Sequence, residues 1–116
     1  MDSVLVIGYD PQGIPGIDVR ALRAALEKDL ARFAEHGIDA MMTTVVLDGT
    51  AESTLVASLT SRHWDVVVVG AGIRKAEQLL PLFEQIVNLI HRHAPDAAIA
   101  FNTGVGDSLE AARRRL

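Results

Sequence analysis

Four short apolar segments of this chain, Val4–Ile7, Met42–Leu47, Val66–Val69 and Ala97–Phe101, each run directly into a turn rich in Gly, Asp or Asn. The turns are Gly8-Tyr9-Asp10, Asp48-Gly49-Thr50, Gly70-Ala71-Gly72 and Asn102-Thr103-Gly104. Continuous apolar runs, as opposed to alternating ones, belong to strands covered on both faces, and helical patterns lie between them. Right-handed crossovers then leave few topologies. The expectation is one α/β domain over residues 1–116, an open, all-parallel four-stranded sheet ordered 2-1-3-4 with helices on both faces, flavodoxin-like or Rossmann-like. In such sheets ligands bind outside the carboxyl ends of the strands, where the crossover direction reverses. That crevice falls between the first and third strands.

The helical patterns carry their own punctuation. Asp18 is placed to cap a first helix with the stripe Leu22, Leu26, Leu30 and Phe33, and Gly37 suits its C′ position. Thr50 is expected to cap a second helix carrying Leu55, Val56 and Leu59. A third carries Leu79, Phe83, Ile86 and Ile90, with Pro81 in its first turn and Pro95 beyond its end. Asp107, with Glu110 three residues later, resembles a capping box for a last helix.

Two loops line the predicted crevice. Gly70-Ala71-Gly72-Ile73-Arg74-Lys75 follows a strand and precedes a helix, the setting of a phosphate loop. It lacks the third glycine of a dinucleotide fingerprint. Gly70 and Gly72 with the following amides are expected to cradle an anion that Arg74 or Lys75 neutralises; the alternative is a tight turn with positive φ and solvated cations. The first loop, Gly8 to Gly16, exceeds the usual 2–6 residues of a βα connection and is expected to wall the crevice. Within it Asp10 is a candidate hydrogen-bond acceptor or general base, or the start of a turn before Pro11. Tyr9 is a candidate for stacking on a ligand. Asn102 and Thr103 lie beside the third-strand loop.

Other features exclude functions. Gly106-Asp107-Ser108-Leu109 spells the tetrapeptide after which a lipase and esterase family is named. Here it follows the last strand, and no His follows it, so Ser108 lacks a base and no hydrolase is expected. His36, His63, His91 and His93 fall near helix C-termini, where the macrodipole favours positive charge, at the end of the sheet away from the crevice. No metal site is expected from them. A net charge of −4 gives no footprint for nucleic acid or anionic membrane, and there is no cysteine for disulfides or thiolate chemistry. No apolar run approaches the ~20 residues of a membrane span, and no leader pattern precedes the first strand, so a cytoplasmic setting is expected. No cofactor motif is complete.

The third helix invites self-association. Leu79, Leu80, Leu82, Phe83, Ile86, Val87, Leu89 and Ile90 cover an arc of about 180°, wider than one sheet contact requires. With Leu79, Phe83, Ile86 and Ile90 on the sheet, one flank is left for a homodimer, either Leu82 with Leu89 or Leu80 with Val87.

Val67 to Arg74, His91 to Pro95 and Ala98 to Thr103 together resemble a family of small bacterial proteins with no assigned function and a predicted Rossmann-like fold. The family often has a proline and an acidic residue after Phe-Asn-Thr, where this chain has Gly104, Val105 and Gly106. The resemblance implies a bacterial cytoplasmic α/β domain and no activity. Three functions are thus open. The first is a binding domain for an anionic small molecule, such as a nucleotide or phosphorylated metabolite. The second is a homodimeric interaction module, and the third a small enzyme using Asp10.

Overall fold

The computed structural model describes residues 1–116. In chain order the elements are β1 (Ser3–Tyr9), α1 (Val19–Glu35), β2 (Asp39–Val45), α2 (Ala51–Thr60), β3 (Val66–Val69), α3 (Ala71–Arg74), α4 (Leu80–His93), β4 (Ala98–Phe101) and α5 (Ser108–Arg113). Single 3-10 turns at Pro11–Gly13 and Glu77–Leu79 lead toward α1 and α4. The four strands form one sheet in the order β2-β1-β3-β4, and every pairing is parallel, as the apolar runs predict.

Alternation along the central strands divides the core. Leu5 and Ile7 of β1 and Val67 and Val69 of β3 point toward α2 and α4, where Leu55, Leu59, Trp64, Leu82, Ile86 and Ile90 complete one cluster. Val4 and Val6, with Val66 and Val68, point to the opposite face and pack on Phe33 of α1 and on Leu109, Ala111 and Ala112 of α5. Both faces are therefore covered, which is why the strands read as unbroken aliphatic runs. The only large aromatic side chain in the first cluster is Trp64, whose indole N–H donates to the Ser58 carbonyl at 3.0 Å and so is buried without an orphan donor.

The helix starts follow the expected signals in part. Asp18 Oδ1 accepts from the Ala21 amide at 3.0 Å, and Gly37 adopts φ 71° just beyond α1. Pro81 sits in the first turn of α4. Thr50, in contrast, gives α2 no side-chain cap; its amide and hydroxyl both donate to Asp48 Oδ1, at 2.8 and 2.6 Å, because the preceding Asp offers a closer acceptor. Asp107 gives α5 no side-chain cap either. Its carboxylate turns back into the β4–α5 loop, accepting from the Thr103 amide at 3.0 Å, the Thr103 hydroxyl at 2.7 Å and the Gly104 amide at 3.3 Å.

The buried face of α4 is rotated from the expected one. Leu82 and Leu89 are in the core beside Leu79, Ile86 and Ile90, while Phe83 is half-buried. The cause is α2, which packs against α4 and draws the buried arc toward itself. Phe83 is thereby left toward the sheet edge, where its ring meets Phe101 edge-on at 6.1 Å between centroids. Leu82 and Leu89 are unavailable to a partner, and of the two candidate flanks only Leu80 with Val87 reaches the surface. No helix is long and apolar enough to cross a membrane.

Candidate functional site

The strand ends border a partly open cavity of about 260 Å³ between the sheet and α1. Its origin lies in the alternation of β1. Val4 and Val6 fill the α1 and α5 face, and the next residue in that series is Gly8. A Cβ built on Gly8 would meet nothing within 4 Å. The layer above Val6 is thus missing a side chain, and the cavity occupies its place, with Leu22 and Leu26 of α1 and Met42 of β2 as walls. Ile14 and Ile17, from the long first loop, and Val105, from the last, flank the remainder. The first loop thus borders the cavity through its isoleucines, and Asp10 is not among the lining residues.

Gly70 closes the floor at β3. A Cβ there would lie 3.1 Å from the Ile7 carbonyl oxygen, so glycine allows β1 and β3 to remain close where their directions begin to diverge. Its φ is −71°, and positive φ among the glycines is confined to Gly16, Gly37 and Gly106. The alternative for this loop, a tight turn with positive φ at Gly70 and Gly72, is absent because Ala71–Arg74 form a helical turn instead.

The predicted site residues separate into two groups. Gly8, Tyr9, Gly70, Gly72 and Asn102 line the cavity. Asn102 is buried and bonded at both ends of its amide: Oδ1 accepts from the Ala71 amide at 2.8 Å and Nδ2 donates to Ser108 Oγ at 3.0 Å, tying β4 to α3 and α5. Tyr9 turns its hydroxyl to the Leu47 amide, 3.3 Å away, and so tethers the β2–α2 loop. Asp10, Arg74, Lys75 and Thr103 are outside the lining. Asp10 starts the Pro11–Gly13 turn, accepting from the Gln12 amide at 3.0 Å, with Arg23 at 3.4 Å. Arg74 donates through Nε to the Val69 carbonyl at 3.3 Å and through its guanidinium to the Asn102 carbonyl, above the Phe101 ring. Lys75 Nζ donates to the Thr103 carbonyl at 2.5 Å. Both cations clasp the last loop.

Ser108 lines the cavity but is 2% exposed, and its hydroxyl is held by Asn102 with no histidine beside it. Asp107 anchors the same loop. Burial pushes its carboxyl up, but the Thr103 hydroxyl and the Thr103 and Gly104 amides outweigh that and hold it below the usual carboxylate range.

One lining residue escaped the sequence reading. Asp29 of α1 is 3% exposed, and its Oδ1 is buried with no hydrogen-bond partner. It stands three residues after Leu26 and four before Phe33, inside the apolar stripe of its own helix. That spacing was the available signal. The nearest cation is Arg32, at 3.9 Å from Asp29 Oδ1, beyond hydrogen-bond reach.

No family model and no curated protein matches the chain. Among solved structures the chain is similar to "Crystal structure of putative lipoprotein from Peptoclostridium difficile 630 (fragment)", with a TM-score of 0.53, 14% identity, and coverage of 87% of this chain and 72% of that one. At that identity the likeness is one of fold, and it agrees with the parallel α/β sheet described above.

Proposed function

We propose that this chain is a binding domain for a small, largely apolar molecule held at the carboxyl ends of β1 and β3. The observation that carries this reading is the cavity above Val6, opened by Gly8 at the topological switch between β1 and β3. An apolar hollow of ~150 Å³ is enough to admit benzene, and this one is about 260 Å³. An apolar body fits better than the anion expected from the Gly70–Lys75 segment, because Arg74 and Lys75 are committed to backbone carbonyls and neither lines the cavity. Titration of the ¹⁵N-labelled protein with toluene tests the reading. Saturable shifts are expected at the Gly8, Gly70 and Gly72 amides, with little change around Trp64 at the far end. Absence of saturable shifts at those three glycines would overturn it.

A second reading, self-association, is favoured by one apolar strip. Leu80 is 61% exposed, Phe83 and Val87 follow it on the same face of α4, and Phe101 on the edge strand is 40% exposed beside Phe83. Strips of this kind serve two-fold dimers.

A further inference from the structure

We infer that the cavity selects a molecule carrying an ammonium group, which Asp29 receives, on an apolar body; this rests on the small-molecule reading above. A carboxylate taken from water without a partner is costly, and native chains keep such groups where something compensates them. Asp29 Oδ1 has no hydrogen-bond partner within the chain, and its one ionic neighbour, Arg32, stands at 3.9 Å. Asn102 and Ser108, which share the lining, are bonded to each other, Asn102 also takes the Ala71 amide, and no bond from either reaches Asp29.

Arg32 is the one cation close enough to neutralise Asp29, and it is held elsewhere. Its two terminal nitrogens donate to Glu110 at 2.9 and 2.6 Å, and Nη1 also donates to the Gly106 carbonyl at 2.5 Å. The Glu110 hydrogen bond is the main cause that raises the guanidinium above its ordinary value, ahead of the more distant charge of Asp29. Asp29 therefore lines a largely apolar pocket with its acceptor capacity unspent. An ammonium has three donors and the complementary charge, and the Leu22, Leu26 and Met42 walls accept the carbon body. A carboxylate or phosphate ligand would face like charge there.

Three probes of similar size decide the matter: benzylamine, protonated at pH 7, toluene and benzoate. Dissociation constants are read from amide shifts on the wild type and on Asp29→Asn. Benzylamine is expected to bind the wild type at least tenfold more tightly than toluene, with benzoate weakest. Asp29→Asn should abolish that preference, bringing the benzylamine and toluene constants within about twofold of each other. If toluene binds and benzylamine gains nothing, the ammonium inference fails and the apolar cavity stands. If benzoate binds tightest the inference fails in favour of an anion, and if no probe binds the cavity reading fails with it. The wild-type comparison needs no variant, so a folding defect in Asp29→Asn leaves the test intact.

Discussion

Arg32 lies 3.9 Å from the buried carboxylate of Asp29 yet gives its planar fork to Glu110, at 2.6 and 2.9 Å. Bidentate geometry explains the choice, since two parallel charge-assisted bonds outweigh one ionic contact without a hydrogen bond. Glu110 thus keeps Arg32 from satisfying Asp29. It also spans α1 and α5, so one ion pair both joins two helices and leaves the Asp29 carboxyl without a hydrogen-bond donor.

Replacing Glu110 should release that restraint. In Glu110→Gln the guanidinium loses its carboxylate partner and is free to close on Asp29. Benzylamine affinity is expected to fall about tenfold, equivalent to ~1.4 kcal/mol, with toluene affinity unchanged. Equal loss for both probes would indicate a distorted cavity in place of a competing cation.

Gly8→Val tests the origin of the cavity. A Cβ at this position meets nothing within 4 Å, and the strand backbone has no positive φ there. The added side chain should occupy the missing layer above Val6, abolishing toluene binding. Because it buries apolar surface and removes glycine's freedom from the unfolded chain, stability in urea should rise by about 1 kcal/mol. A destabilised variant would mean that the valine cannot enter the hollow.

The strand order and the covered faces were legible in the sequence because Val4–Ile7 and Val66–Val69 are unbroken aliphatic runs, a pattern only two-sided burial sustains. The end of the sheet where the cavity lies followed from the turns after them. Its chemistry was harder to read. Arg74 and Lys75 invited an anion, but both reach carbonyls of a loop about 28 residues downstream, contacts no local pattern encodes. Asp29 carries no motif of its own, and only its place between Leu26 and Phe33 puts it on the buried stripe. The centre of the α4 face was missed by the width of a residue because α2, not only the sheet, sets what that helix buries.

That rotation separates two substitutions on α4. Leu82 is fully buried, so Leu82→Ala should cost ~2–5 kcal/mol of stability by leaving a cavity. Leu80 is 61% exposed, so Leu80→Glu should leave the fold within ~0.5 kcal/mol of the wild type. If the Leu80, Phe83, Val87 strip joins two copies, light scattering at tens of micromolar should give a dimer for the wild type and a monomer for Leu80→Glu. A monomeric wild type would end the self-association reading.

Acid should loosen the last loop through Asp107. Its carboxyl is held below the usual range by the Thr103 hydroxyl, the Thr103 amide and the Gly104 amide acting against burial. A folded-state value below the unfolded one, ~3.9 for Asp, means that the unfolded chain takes up the proton first as pH falls. The stabilisation is therefore complete well above pH 4 and is lost as pH falls through that value toward the folded one. At pH 7, Asp107→Asn should be less stable than the wild type by ~1–2 kcal/mol, the cost of weakened bonds to donors it partly buries. The gap should narrow as urea unfolding is repeated at pH 5, 4 and 3, since the wild type loses what the variant never had. A gap that stays constant over that range would show that Asp107 acts by shape and not by charge.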